Sequence, residues 1–118
     1  MIRIGTISKI DYKEGTVSIV QEERDDAVSF DLPMLSEEYN PPNVGDMVIV
    51  AYPYSDYSEG FMIGKPFNYN NLPTRGEKGI IRKDYDIDAF IEYDKATKTL
   101  TVQAEKIVFK GNVLQGGE

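Results

Sequence analysis

The chain contains no cysteine and no histidine. The first absence removes disulfide frameworks and thiolate metal sites, and leaves the redox compartment open. The second removes the commonest general base and the commonest metal ligand, so any chemistry would fall to carboxylates, lysines, tyrosines and hydroxyls. Apolar runs are short, and none approaches the length that crosses a bilayer. Met1-Ile2-Arg3-Ile4-Gly5 enters strand pattern directly, without the apolar core of a secretory signal, so a soluble protein made in the cytoplasm is expected. Positive charge is also scarce, with a formal net charge of −7 that repels phosphate backbones and acidic membranes. No metal and no cofactor is expected.

What is present, in 118 residues that are 41% apolar, suffices for one ordinary core and an appendage. Ile2, Ile4, Ile7 and Ile10 form a strand whose parity changes after Gly5, where a bulge or kink is expected. Asp11 to Gly15 is a turn, and Val17, Ile19 and Val20 continue as a second strand. The acidic run Glu22, Glu23, Asp25 and Asp26, broken by Arg24, reads as a solvated loop rather than a metal site, because hard cations need fixed oxygen geometry. Val28, Phe30 and Leu32 alternate as a third strand, stopped by Pro33.

From Met34 to Val44 the pattern is lost; Ser36-Glu37-Glu38 has the chemistry to cap one helical turn, which Pro41-Pro42 would end. Val44-Gly45-Asp46 then turns into Met47 to Tyr52, apolar on both parities, which reads as the central strand of a closed or nearly closed barrel. Pro53 to Gly60 is a loop of Tyr, Ser and Asp, and Phe61 to Gly64 is a fifth strand. Five short strands without a substantial helix predict an all-β protein opening with a small antiparallel barrel of the OB type over residues 1–66. Residues 67–83, rich in Asn, Gly and Pro, have connector chemistry. The basic residues Arg75, Lys78, Arg82 and Lys83 stand beside Asp84, Asp86 and Asp88 and are expected to neutralise them.

Residues 84–118 are again in strand code. Ile87, Ala89, Ile91 and Tyr93 share one parity, and a turn is expected at Lys95 to Lys98. The alternation returns as Leu100, Val102 and Ala104, and then as Ile107 and Phe109 before Gly111-Asn112. Three short strands with one apolar face cannot stand alone. Either they lie on the preceding domain, or copies of other chains close over them.

Arg3-Ile4-Gly5-Thr6-Ile7, the turn at Glu14-Gly15-Thr16-Val17, Pro41 to Asp46 ahead of Met47 to Val50, and Glu59 to Gly64 occur in an order that resembles the N-terminal OB domain of the phage baseplate assembly protein V family. These are central spike proteins of contractile tails and related injection particles. The resemblance spans most of residues 2–66, and the β-repeat segment behind it is similar to the family's spike. It implies a homotrimer in which residues 84–118 of three chains intertwine as a short β-helix or β-prism, with the OB domains as a collar on a tail hub protein. Ile87, Ala89, Ile91, Leu100, Val102, Ile107 and Phe109 would then face the threefold axis, and Asp86, Asp88, Glu92, Lys98, Lys106 and Lys110 would face water. Phe90 and Val108 lie on the other parity, where a bulge or a neighbouring chain would receive them. Longer members end in an iron-binding histidine apex; without histidine that metal site is not carried over, and a separate tip protein or a blunt end is implied. No inserted lysozyme-like domain is present. The implied role is mechanical: to plug the tube at the baseplate and, in transient contact with the target envelope, to pierce it.

Two other function classes compete. An OB barrel suggests a single-stranded nucleic-acid binder, and Tyr52, Tyr54, Tyr57, Phe67 and Tyr69 supply aromatics, but Asp56, Glu59 and other acids beside them oppose a polyanion. A carboxylate-only hydrolase using Asp25/Asp26 or Asp86/Asp88 would need a pocket that raises a carboxyl pKa, and wet loop or strand positions provide none. A non-enzymatic structural protein is the expectation.

Overall fold

The computed structural model describes residues 1–21 and 27–116. The acidic run 22–26, with the Asp25/Asp26 pair, therefore lies outside the described residues. The fold is all-β, with two antiparallel sheets and no helix among the described residues. It divides into two compact units, Met1–Asn71 and Leu72–Glu118.

The first unit is a five-stranded sheet of β1 (Ile2–Asp11), β2 (Thr16–Gln21), β3 (Ala27–Pro33), β4 (Met47–Ala51) and β5 (Phe61–Gly64), in the order β3-β2-β1-β4-β5. Ile7, Val17, Ile19, Leu32, Val48, Val50 and Met62 form the core with Tyr52, whereas Ile2, Ile4, Val28 and Phe30, which the alternation also selects, are exposed. Curvature comes from breaks in register. Ser8 is the extra residue on β1 opposite Ser18, Phe30 and Asp31 together oppose the same Ser18 from β3, and Ile63 is the extra residue on β5. Ser8 Oγ donates to the Ser18 carbonyl at 3.1 Å, and the Asp31 amide donates to Ser18 Oγ at 3.4 Å, so one buried serine serves both flanking bulges. Asp31 takes φ 54°, a left-handed conformation that Asp tolerates better than most residues. Beyond the bulges the two edge strands approach, and Met34 forms a parallel bridge with Met62.

Several local expectations are corrected. The bulge of β1 lies at Ser8, not at Gly5. Gly5 is there for close approach, since a Cβ at that position would collide with the side chain of Ile19. No helical turn forms at Ser36 to Glu38. On β4 only Val48 and Val50 are buried; Met47, Ile49 and Ala51 are half-buried. Their outward parity continues across Ile2, Ile4, Phe61 and Ile63, so β1, β4 and β5 present an apolar outer face as well as an inner one.

The second unit carries β6 (Ile80–Asp86), β7 (Ala89–Asp94) and β8 (Thr99–Gln103), in that order across the sheet. Residues 80–83, expected in the connector, are the first half of β6. Their charges masked them as linker, whereas Arg82 stands directly opposite Glu92 on β7. Ile87 belongs to the β6–β7 turn rather than to a strand. Ile107 and Phe109 lie in no strand: β8 is the edge of its sheet, and among the described residues no further strand pairs with it.

Candidate assembly surface

Register sorts the second sheet into two unlike faces. The direct pairs Ile81 with Tyr93, Tyr93 with Leu100, Lys83 with Ile91, and Ile91 with Val102 place these side chains together on one face. Ile81, Leu100 and Val102 are 59%, 61% and 47% exposed, and Ile91 is 37% exposed. Together they form a contiguous exposed apolar ladder, the kind of patch that is a candidate interaction surface. Of the residues expected at a threefold axis, Ile91, Leu100 and Val102 fall on this face, and Ala89 continues it at the end of β7. Ile87 is 90% exposed in its turn, and Ile107 and Phe109 are exposed beyond β8. Ile81 and Tyr93 join the ladder. The sequence held the signal for Tyr93 in its parity, but that for Ile81 was hidden by the charges following it.

The opposite face is ionic. Glu92, expected to face water, is 8% exposed. Arg82 Nη1 donates to Glu92 Oε1 at 2.9 Å and Arg75 Nη1 to Glu92 Oε2 at 2.5 Å. Arg75 Nε also donates to Glu77 at 2.7 Å, Arg82 Nε to Asp84 Oδ1 at 3.0 Å, and the Thr74 hydroxyl to Asp84 Oδ2 at 2.7 Å. The Arg82 guanidinium lies 3.7 Å from the centroid of the Phe90 ring, which accounts for Phe90 on this parity. The side chain of Arg75 thus covers a sheet face whose centre is an anion.

Charge and hydrogen bonding set the protonation states. The Arg82 hydrogen bond above all, then Arg75, outweighs desolvation and holds the Glu92 carboxyl below its ordinary value. The Thr74 hydroxyl, and then Arg82, do the same for Asp84. Glu77 first and Glu92 second raise Arg75, and Glu92 first raises Arg82. A carboxylate locked as an anion between two guanidiniums is a strut and a poor proton donor at neutral pH. Asp86 and Asp88 stand exposed at the β6–β7 turn.

Of the aromatics considered for base stacking, Tyr52 is buried in the first unit's core, 4.8 Å between centroids from Tyr57 in an edge-on contact. Tyr57 accepts from Arg3 Nε at 2.9 Å, while Tyr54, Phe67 and Tyr69 are exposed.

Charge divides between the units. Met1–Asn71 holds twelve acids and five bases, a balance of −7, whereas Leu72–Glu118 holds eight of each. The unit with the uncovered apolar ladder carries no net charge to resist self-association. In comparisons with known proteins, the chain matches no family model and no curated protein.

Proposed function

We propose that this protein is a structural, non-enzymatic spike component of a contractile phage tail or phage-like injection particle, assembled as a homotrimer through its second unit and attached by its first to the tail hub. The observation that carries this reading is the uncovered ladder of Ile81, Ile91, Tyr93, Leu100 and Val102 on a neutral unit. Three copies would supply one another's missing cover as a short β-prism. The exposed apolar residues Ile107, Val108 and Phe109 would be received by neighbouring chains, which also removes the free edge of β8. Side chains that are now about 60% exposed, such as Ile81 and Leu100, would each contribute roughly 1–2 kcal/mol on burial. The first unit is read as an OB-type barrel. Strand β1 between β2 and β4, the bulged coiling, and the parallel Met34–Met62 bridge joining the edges all support that topology.

Mass measurement of the full chain by light scattering should return three chains. Val102→Asp would place three unpaired carboxylates at the axis and should return one. A wild-type monomer, or a trimeric Val102→Asp, would overturn the reading.

A further inference from the structure

Among its described residues, the first unit has a groove of its own. Between β3 and the stretch Asp56 to Phe61 runs a groove of about 640 Å³. Strand β3 pairs with β2 along one edge; among the described residues, no backbone hydrogen bond occupies its other edge from Ala27 to Asp31. The bridge at Met34 closes the sheet only beyond that point. Unpaired strand edges are templates for another strand. Leu32 and Gly60 lie in the groove with the exposed side chains of Phe30 and Phe61, and among the described residues its charged lining is Asp31, Asp56 and Glu59, with no lysine or arginine.

We infer that this groove is a docking slot for an extended, basic segment of a partner protein, which adds as a strand to the free edge of β3 and sets cationic side chains against Asp31, Asp56 and Glu59. The slot offers main-chain hydrogen bonds along the stretch Ala27 to Asp31 of β3, roughly 17 Å at strand rise. Apolar side chains on one parity of the incoming strand would meet Phe30 and Phe61, and basic ones the acids.

Charge selects the occupant. A second copy of the −7 unit would bring like charge against like, and a nucleic acid would bring a polyanion. A cationic strand satisfies both the backbone edge and the field. This deepens the proposed function by giving the first unit its grip on the hub, and it rests on that reading only for the identity of the partner.

The test uses the full chain with an alternating Lys-Val octapeptide as probe, followed by amide NMR shifts, and an alternating Glu-Val octapeptide and an oligothymidine as counter-probes. The Lys-Val peptide should shift the amides of Ala27 to Asp31 and Asp56 to Phe61 and slow hydrogen exchange along β3 at least tenfold. Asp56→Asn with Glu59→Gln should weaken binding about tenfold. Asparagine keeps the side-chain oxygen that accepts from the Ser58 amide, so the loop is retained. Glu14→Gln with Glu37→Gln removes the same charge elsewhere and should change affinity less than twofold.

Equal weakening by the two pairs, shifts confined to other surfaces, tighter binding of oligothymidine, or concentration-dependent self-association at these amides would each overturn the slot. Repeating the titration on Val102→Asp separates the two ideas. A monomeric variant that still binds the peptide supports the slot whatever the trimer measurement returns.

Discussion

Tyr52→Phe removes one oxygen from the centre of the first unit and leaves its packing intact. The Tyr52 hydroxyl accepts from Gln21 Nε2 at 2.5 Å and lies 2.8 Å from Ser29 Oγ, and Tyr52 and Gln21 are both fully buried. Two hydrogen bonds are lost. Gln21 Nε2 and Ser29 Oγ keep their mutual bond at 3.0 Å, so neither is stranded. At about 0.5–1.5 kcal/mol net for each bond, the expected cost is about 1–3 kcal/mol. For a unit of this size that is a fall of roughly 1–2 M in urea midpoint, or about 4–24 °C in Tm. Urea titration followed at the amides of β1 and β4 reads this unit alone.

The partner substitution sharpens the test. Gln21 Oε1 is buried and has no hydrogen-bond partner, so Gln21→Met deletes a polar atom that already costs stability along with the amide that serves Tyr52. In the Tyr52→Phe background Gln21→Met should cost close to nothing, giving a coupling of about 1 kcal/mol between the positions. A Tyr52→Phe cost below about 0.5 kcal/mol, or strict additivity of the pair, would refute the network as a contributor to stability.

Gly60→Ala should destabilise the first unit by about 1–3 kcal/mol, because its Cβ would sit 2.7 Å from the Tyr52 ring and 3.0 Å from Leu32. Gly64→Ala meets nothing within 4 Å, and its urea midpoint should stay close to wild type; equal losses at both sites would contradict the packing. Acid should weaken the second unit selectively. Glu92 and Asp84 are depressed in the folded state, so their contribution is complete above the ordinary carboxylate value near 4 and is lost as pH falls through the lower folded values. Urea midpoints of β7 amides should therefore fall between about pH 5 and pH 3, with a shallower slope in Glu92→Gln. A flat profile would rule out the ion network as the cause.

The five strands of the first unit were legible because each alternates or is bounded by Pro or Gly, and period two survives the bulges. Where the bulges fall was not legible. Gly5 carries the usual signal for one, yet Ser8 is the extra residue, and the need for glycine comes from Ile19 across the sheet, a contact with no local trace. The second unit misled through charge. Arg82, Lys83 and Asp84 follow one another without an apolar alternation, and the pattern becomes intelligible only when β7 sets Glu92 opposite Arg82 and Phe90 opposite Asp84. A cross-strand ion pair is nonlocal, so hydropathy alone assigned residues 80–83 of β6 to a connector and Glu92 to solvent.

That misreading bears on why the sheet can leave its ladder uncovered. Ordinarily a three-stranded sheet is held by burying its apolar face, and one that exposes Leu100 and Val102 lacks that source of order. Here the other face carries a ring of charge-assisted bonds from Arg75 and Arg82 to Glu92, Asp84 and Glu77, with Phe90 under the Arg82 guanidinium. Ordering thus comes from the polar side, and the apolar side is left available. If the proposed trimer forms, a surface ordered in advance would lose less freedom on association, which would favour a rigid assembly. The placement of charge agrees with both proposals: a neutral unit with an exposed apolar ladder would meet copies of itself without net repulsion, whereas the −7 unit would favour a partner of opposite sign.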